Sequence, residues 1–194
     1  MSDDAPAPCR CLGFKVLERP DGSLQTCPCA VGPALWTRAG IPERFHGAEE
    51  IESTESVYLW GAPGGGKSWE AASRLKGFLR TRPGGLFVYM PTLEAERRAA
   101  VTLGSDLPGE RFIGAPFLVI DDFLRGPRVT EFWEEYLLQL VSVRHGRKLP
   151  TVYTSNHPLE YVDEKLGEHL ASRILEMCGG ANVRHVDQPN RRLA

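Results

Sequence analysis

Val57-Tyr-Leu-Trp-Gly-Ala-Pro-Gly-Gly-Gly-Lys-Ser68 is the stretch on which the reading of this chain turns. A short apolar run, read as a buried strand, enters a loop with four glycines (Gly61, Gly64, Gly65 and Gly66). The loop ends in Lys67 and Ser68, and a helix is expected from Trp69. G-x-x-x-x-G-K-[ST] between a strand and a helix is the pattern of a phosphate-binding loop. Glycines let the backbone curl so that several N–H groups point at the β- and γ-phosphates of a nucleoside triphosphate such as ATP. Lys67 adds a point charge, the Ser68 hydroxyl is placed to reach Mg²⁺, and the helix offers its positive end to the anion.

With 194 residues the chain can bury one substantial core with a small appendage. Its 42% hydrophobic and 25% charged residues are ordinary for a globular protein. The net charge of −2 argues against coating nucleic acid by bulk electrostatics and leaves a local basic patch open. No apolar run reaches the length of a membrane span, and residues 1–8 lack a signal-peptide core. A cytoplasmic location is expected, with no membrane partner and with cysteines reduced or metal-bound.

Toward the N-terminus, Cys9, Cys11, Cys27 and Cys29 form two C-x-C pairs around a turn-rich segment at 20–23. Two knuckles joined by a hairpin around one tetrahedral Zn²⁺ would replace the core that so short a segment cannot bury. Unligated thiols are the alternative. Cys178, alone near a helix end, reads as a small buried residue. A short helix at 33–39 and a polar, acidic approach at 43–56 place a boundary near 47. The chain then divides into a Cys-rich module with its linker (1–46) and a nucleotide domain (47–194).

Toward the C-terminus, helical spacing runs over 69–80 and ends at Pro83-Gly84-Gly85. A second buried strand is expected at 86–90, then a helix from Thr92 with Glu94, Glu96, Arg97 and Arg98 on a solvated face, then a loop-rich stretch at 104–116. The third strand, 117–120, delivers Asp121 and Asp122 at its end. The first carboxylate can hold Mg²⁺ through its water shell, opposite Ser68; the second can orient or polarise an attacking water. An Asp there reaches the water less easily than a Glu, which fits slow, switch-like turnover. A helix at 130–145 has an apolar aromatic side, and Arg144, Arg147 and Lys148 gather where cations suit its dipole. The fourth strand, 150–154, leads into Ser155 and Asn156, whose amide can hydrogen-bond the γ-phosphate or the water. Helices at 158–166 and 167–178 and an edge strand at 182–186 complete an α/β sandwich of three layers with a central parallel sheet of about five strands.

The order of these pieces resembles the DnaC/IstB-like branch of the AAA+ ATPases. The residues that carry the likeness are Gly-Ala-Pro-Gly-Gly-Gly-Lys-Ser (61–68), Leu-Val-Ile-Asp-Asp (118–122), Pro-Thr-Val-Tyr-Thr-Ser-Asn (150–156) and Leu-Gly-Glu-His-Leu-Ala-Ser-Arg-Ile (166–174), with Ala-Gly-Ile-Pro-Glu-Arg-Phe (39–45) as a lead-in. The resemblance implies Lys67 and Ser68 as the Walker A pair, Asp121 and Asp122 as Walker B, and Asn156 as sensor 1. It implies Arg173 as an arginine finger entering a neighbour's ATP site, and Arg191 or Arg192 as sensor 2. It further implies an ATP-dependent oligomer that binds single-stranded DNA and delivers a DnaB-type replicative helicase, gripped by the Cys-rich segment. An IstB-like transposition helper is the alternative within the family. Outside it stand a small-molecule P-loop kinase and a module that uses ATP as structural glue.

Overall fold

The computed structural model describes residues 11, 15–102, 107–124 and 130–187. It opens on the expected hairpin: β1 (Val16–Glu18) and β2 (Leu24–Thr26) run antiparallel, with Val16 opposite Thr26. The Asp21 carboxylate closes the turn by accepting from the backbone N–H (2.9 Å) and hydroxyl (2.6 Å) of Ser23, a local bond that favours Asp in turns. A short helix, α1 (Pro33–Arg38), follows.

The remaining elements, in chain order, are β3 (Val57–Trp60), α2 (Lys67–Thr81), β4 (Leu86–Tyr89), α3 (Met90–Thr102), α4 (Leu107–Ile113), β5 (Leu118–Asp121), α5 (Glu131–Gly146), β6 (Thr151–Ser155), α6 (Leu159–Leu166), α7 (Glu168–Cys178) and β7 (Val183–His185). Five strands form one sheet in the order β4-β5-β6-β3-β7, every pair parallel. Parallel strands covered on both faces are apolar at nearly every position, which is why β3, β4 and the start of β5 read as continuous runs. Their alternation divides two cores. Val57, Leu59, Phe87, Val119 and Val152 face α2, while Tyr58, Val88, Leu118, Ile120 and Tyr153 pack with residues of α5, α6 and α7.

The segment before β3 is fastened to this sandwich. Ala39 and Ile41 belong to the core on the α2 side. The Ala39 carbonyl accepts from the Phe87 N–H at 2.7 Å, which covers part of the β4 edge. Further on, residue 51 crosses α2 so closely that a Cβ on Gly77 would lie 2.2 Å from the Ile51 carbonyl oxygen. The crossing explains a glycine in mid-helix, where it costs about 1 kcal/mol relative to Ala.

Four local expectations change. Helix α2 starts at Lys67 rather than Trp69, so Lys67 and Ser68 lie in its first turn. Helix α3 starts at Met90 rather than Thr92, so Met90 opens it instead of ending β4. The 104–116 stretch holds α4 instead of being loop-rich: Pro108 falls in its first turn, where a missing N–H forfeits no helical bond. Arg97 does not join a solvated face, because its guanidinium lies over the rings of Tyr136 (5.2 Å) and Phe132 (5.7 Å).

Arg144 turns inward from the cations at the end of α5 and is fully buried. It donates to the Thr151 hydroxyl (2.8 Å) and to the carbonyls of Phe112 (2.9 Å), Ala115 (2.8 Å) and Pro150 (2.7 Å), tying the end of α4 to the start of β6. Burial lowers its pKa to about 10. Cys178 is buried as expected, and burial pushes its thiol up to about 12. Among the described residues no helix is long and apolar enough to cross a membrane.

Candidate nucleotide site

Sheet order decides what gathers at the strands' C-terminal ends. Because β6 lies between β3 and β5, the loop after β3 faces both the carboxylates after β5 and the amide after β6. This is the end of an open α/β sheet at which ligands bind. The loop after β3 uses positive φ at Gly64 (88°) and Gly66 (92°), a region that favours glycine. Gly66 is the N-cap of α2, so the amides of the first helical turn stay available to an anion.

Lys67 is buried, and its ammonium donates to the carbonyls of Gly61 and Ala62 (both 2.8 Å) and to Asn156 Oδ1 (3.2 Å). The structure thus brings Lys67 and Asn156 into direct contact across 89 residues of chain. Asp121 is 4% exposed, and burial raises its pKa. Hydrogen bonds from Ser68 and Thr154 oppose that rise, and the neighbouring Asp122 adds to it. Ser68 in the first turn of α2 thus stands near Asp121 at the end of β5.

Thr154 has a part that sequence reasoning missed. Its hydroxyl donates to Asp121 Oδ1 (2.7 Å) and accepts from the Asp122 N–H (3.0 Å). The Ser155 hydroxyl donates to the Phe123 carbonyl (3.0 Å). Together they hold Asp122 at a φ of +58°, a left-handed conformation that Asp tolerates better than most residues. The available signal was the polar run Thr-Ser-Asn at the end of an apolar strand. Its partners became visible only with β5 beside β6.

Lys67, Ser68, Asp122 and Asn156 line a cleft of about 540 Å³ with Arg44 and Trp69. Gly66 and Trp69 also border an adjoining cavity of about 580 Å³ lined by Glu70 and Arg184, which are ion-paired to one another. Arg173 is half-buried on α7 and does not line the cleft of its own chain. Arg191 and Arg192 lie outside the described residues, as does Cys9.

At the hairpin, the sulfurs of Cys11, Cys27 and Cys29 all lie within 4.8 Å of one another, with Cys11 and Cys29 at 3.4 Å. Sulfurs about 3.8 Å apart are what tetrahedral zinc–thiolate bonds of about 2.3 Å require. Three of the four expected thiols are thus close enough to share one metal.

Fold and cleft together define a P-loop protein of AAA+ architecture. In fold the chain is similar to the DnaC helicase loader, at a TM-score of 0.61 and 19% identity over 75% of this chain and 98% of that one. It is similar to DnaI at 0.55 and 23%, over 82% and 81% of the two chains. A third likeness is to the replication initiator DnaA bound to AMPPCP and single-stranded DNA, at 0.56 and 13% over 71% of this chain and 42% of that one. No family model matches the chain, and no curated protein does.

Proposed function

We propose that this chain is an ATPase that loads a DnaB-type replicative helicase onto single-stranded DNA, with hydrolysis as the release step. The observation that carries the reading is the convergence of the phosphate loop, Asp122 and Asn156 on one cleft, with Asp121 buried next to Asp122 at the end of β5. The likeness to the DnaC helicase loader, which spans nearly all of that chain, supports the choice of partner.

In this reading the loop amides and Lys67 bind the phosphates. Lys67 exchanges its bonds to Gly61 and Ala62 for phosphate oxygens. Ser68 and Asp121 hold Mg²⁺, which neutralises phosphate charge, Asp122 orients the attacking water, and Asn156 reports the terminal phosphate to β6. Arg191 or Arg192 closes over the nucleotide in cis, and Arg173 serves a neighbouring subunit. Cys9, Cys11, Cys27 and Cys29 hold one Zn²⁺, and the 1–46 segment built around it grips the helicase. Self-association follows from the trans arginine, because a site that needs two chains turns over only in an assembly.

The test is a pulldown of the full chain with its cognate replicative helicase, in ATP and in ADP with Mg²⁺, with zinc measured on the same sample. A complex retained in ATP and released on hydrolysis is expected. No complex in ATP overturns the assignment.

A further inference from the structure

Arg44 belongs to the 39–45 stretch before the sheet, and it lines the cleft together with Ser68, Asp122 and Asn156. The backbone that carries it is fixed from three directions. Lys76 on α2 donates to the carbonyls of His46 (2.8 Å) and Ala48. The His46 ring nitrogen pairs with the Ile41 carbonyl at 3.0 Å. The Phe45 ring meets Trp69 edge-on at 6.3 Å and Phe87 at 6.1 Å. On this support the Arg44 guanidinium lies over the Phe45 ring, 4.7 Å from its centroid, and stays exposed.

Structural arginines are consumed by their partners, as Arg144 is. Arg44 differs, since among the described residues it forms no ion pair. It shares the cleft wall with Ser68, Asp122 and Asn156, which mark the end beyond the loop amides. In a bound nucleotide this end faces the terminal phosphate, whereas the loop amides hold the preceding one. We propose that Arg44 is a phosphate-binding residue of the cleft, supplied in cis by the segment before the sheet, and that it selects the triphosphate over the diphosphate. The inference rests on the nucleotide reading given above.

Binding of a non-hydrolysable ATP analogue and of ADP, both with Mg²⁺, is to be measured by calorimetry for the wild type and for Arg44→Ala, Arg44→Lys and Lys67→Ala. Loss of a charge-assisted phosphate contact predicts that Arg44→Ala weakens the triphosphate analogue about tenfold. ADP stays within about twofold, and Arg44→Lys recovers part of the preference. An analogue-to-ADP preference in Arg44→Ala within twofold of the wild type overturns the role of Arg44, and does so while the nucleotide reading stands if Lys67→Ala loses both ligands. A wild type that binds neither nucleotide, or a Lys67→Ala that binds both normally, overturns the nucleotide reading and the role of Arg44 with it.

Discussion

Asp121 is a carboxylate that the metal-free fold holds at a cost. It is nearly inaccessible and next in sequence to Asp122, and burial is the largest cause of its raised pKa. A group whose folded pKa exceeds its unfolded value favours the fold when protonated. That contribution is fully present below the unfolded pKa and is lost as pH rises through the folded one. At neutral pH the raised pKa of Asp121 therefore weakens the fold, as functional sites often do. Asparagine keeps the shape: its Oδ1 can still accept from Thr154, and its amide can donate to Ser68. Asp121→Asn in EDTA at pH 7 is expected to stabilise the chain by about 0.5–2 kcal/mol, or about 2–4 °C of Tm per kcal/mol. The gain shrinks as the pH falls through the raised pKa of Asp121 and is gone below the ordinary carboxylate range. Adding Mg²⁺ and ATP reverses the ranking, because only the wild type can gain from the metal. Thermal melts at two pH values, with and without Mg²⁺-ATP, check both signs. A variant less stable than the wild type in EDTA at pH 7 overturns the argument.

At the scale of elements, legibility followed how local each cause was. Strands β3, β5 and β6 stood out as apolar runs closed by polar residues, and α5 by its 3.6-residue period. Helix α4 did not, because Pro108 and Gly109 are turn formers in isolation and only position within the first turn makes the proline harmless. Arg144 and Arg97 were misplaced for another reason. A cation at a helix end and one in a charged run are surface residues by default, and the carbonyls and rings that claim them come from other elements. In the site, Lys67, Ser68, Asp121, Asp122 and Asn156 were readable because motif and strand end coincide. Thr154 and Arg44 were not, since Thr154 meets Asp121 only once β5 and β6 lie side by side, and Arg44 reaches the cleft from the segment before β3. The β1–β2 hairpin was legible through its cysteines and carries its own prediction. Its strands are three residues each, too short to be stable unaided. One Zn²⁺ per chain is expected by metal analysis. Stripping it with a chelator should expose residues 15–29 to protease while changing the Tm of the rest by only a few degrees, about 1 kcal/mol in a chain of this size. A hairpin equally protected with and without metal removes zinc from the account.

For the molecule as a whole, the question is whether one chain contains a complete site. Helix α7 buries Leu170, Ala171, Ile174 and Cys178 against the sheet, which fixes its register and leaves Arg173 half-buried, outside the cleft of its own chain. An arginine that stabilises transferring phosphate is worth about 10³-fold or more in rate. If Arg173 acts in a neighbour's cleft, three results follow together. The ATPase rate per subunit rises with protein concentration and levels off once the assembly is complete. Arg173→Ala binds ATP normally and turns over about 10³-fold more slowly. The third result separates the trans arrangement from every cis one. Lys67→Ala cannot use its own cleft but still offers Arg173, while Arg173→Ala has an intact cleft and no arginine to offer. Mixed, two inactive variants must regain activity at the interfaces where an intact cleft meets an intact arginine. In a random assembly at equal amounts, about half of the intact clefts do so. No rescue in the mixture, under conditions where the wild type is assembled, would show that each chain works alone, and the oligomer would lose its place in the mechanism.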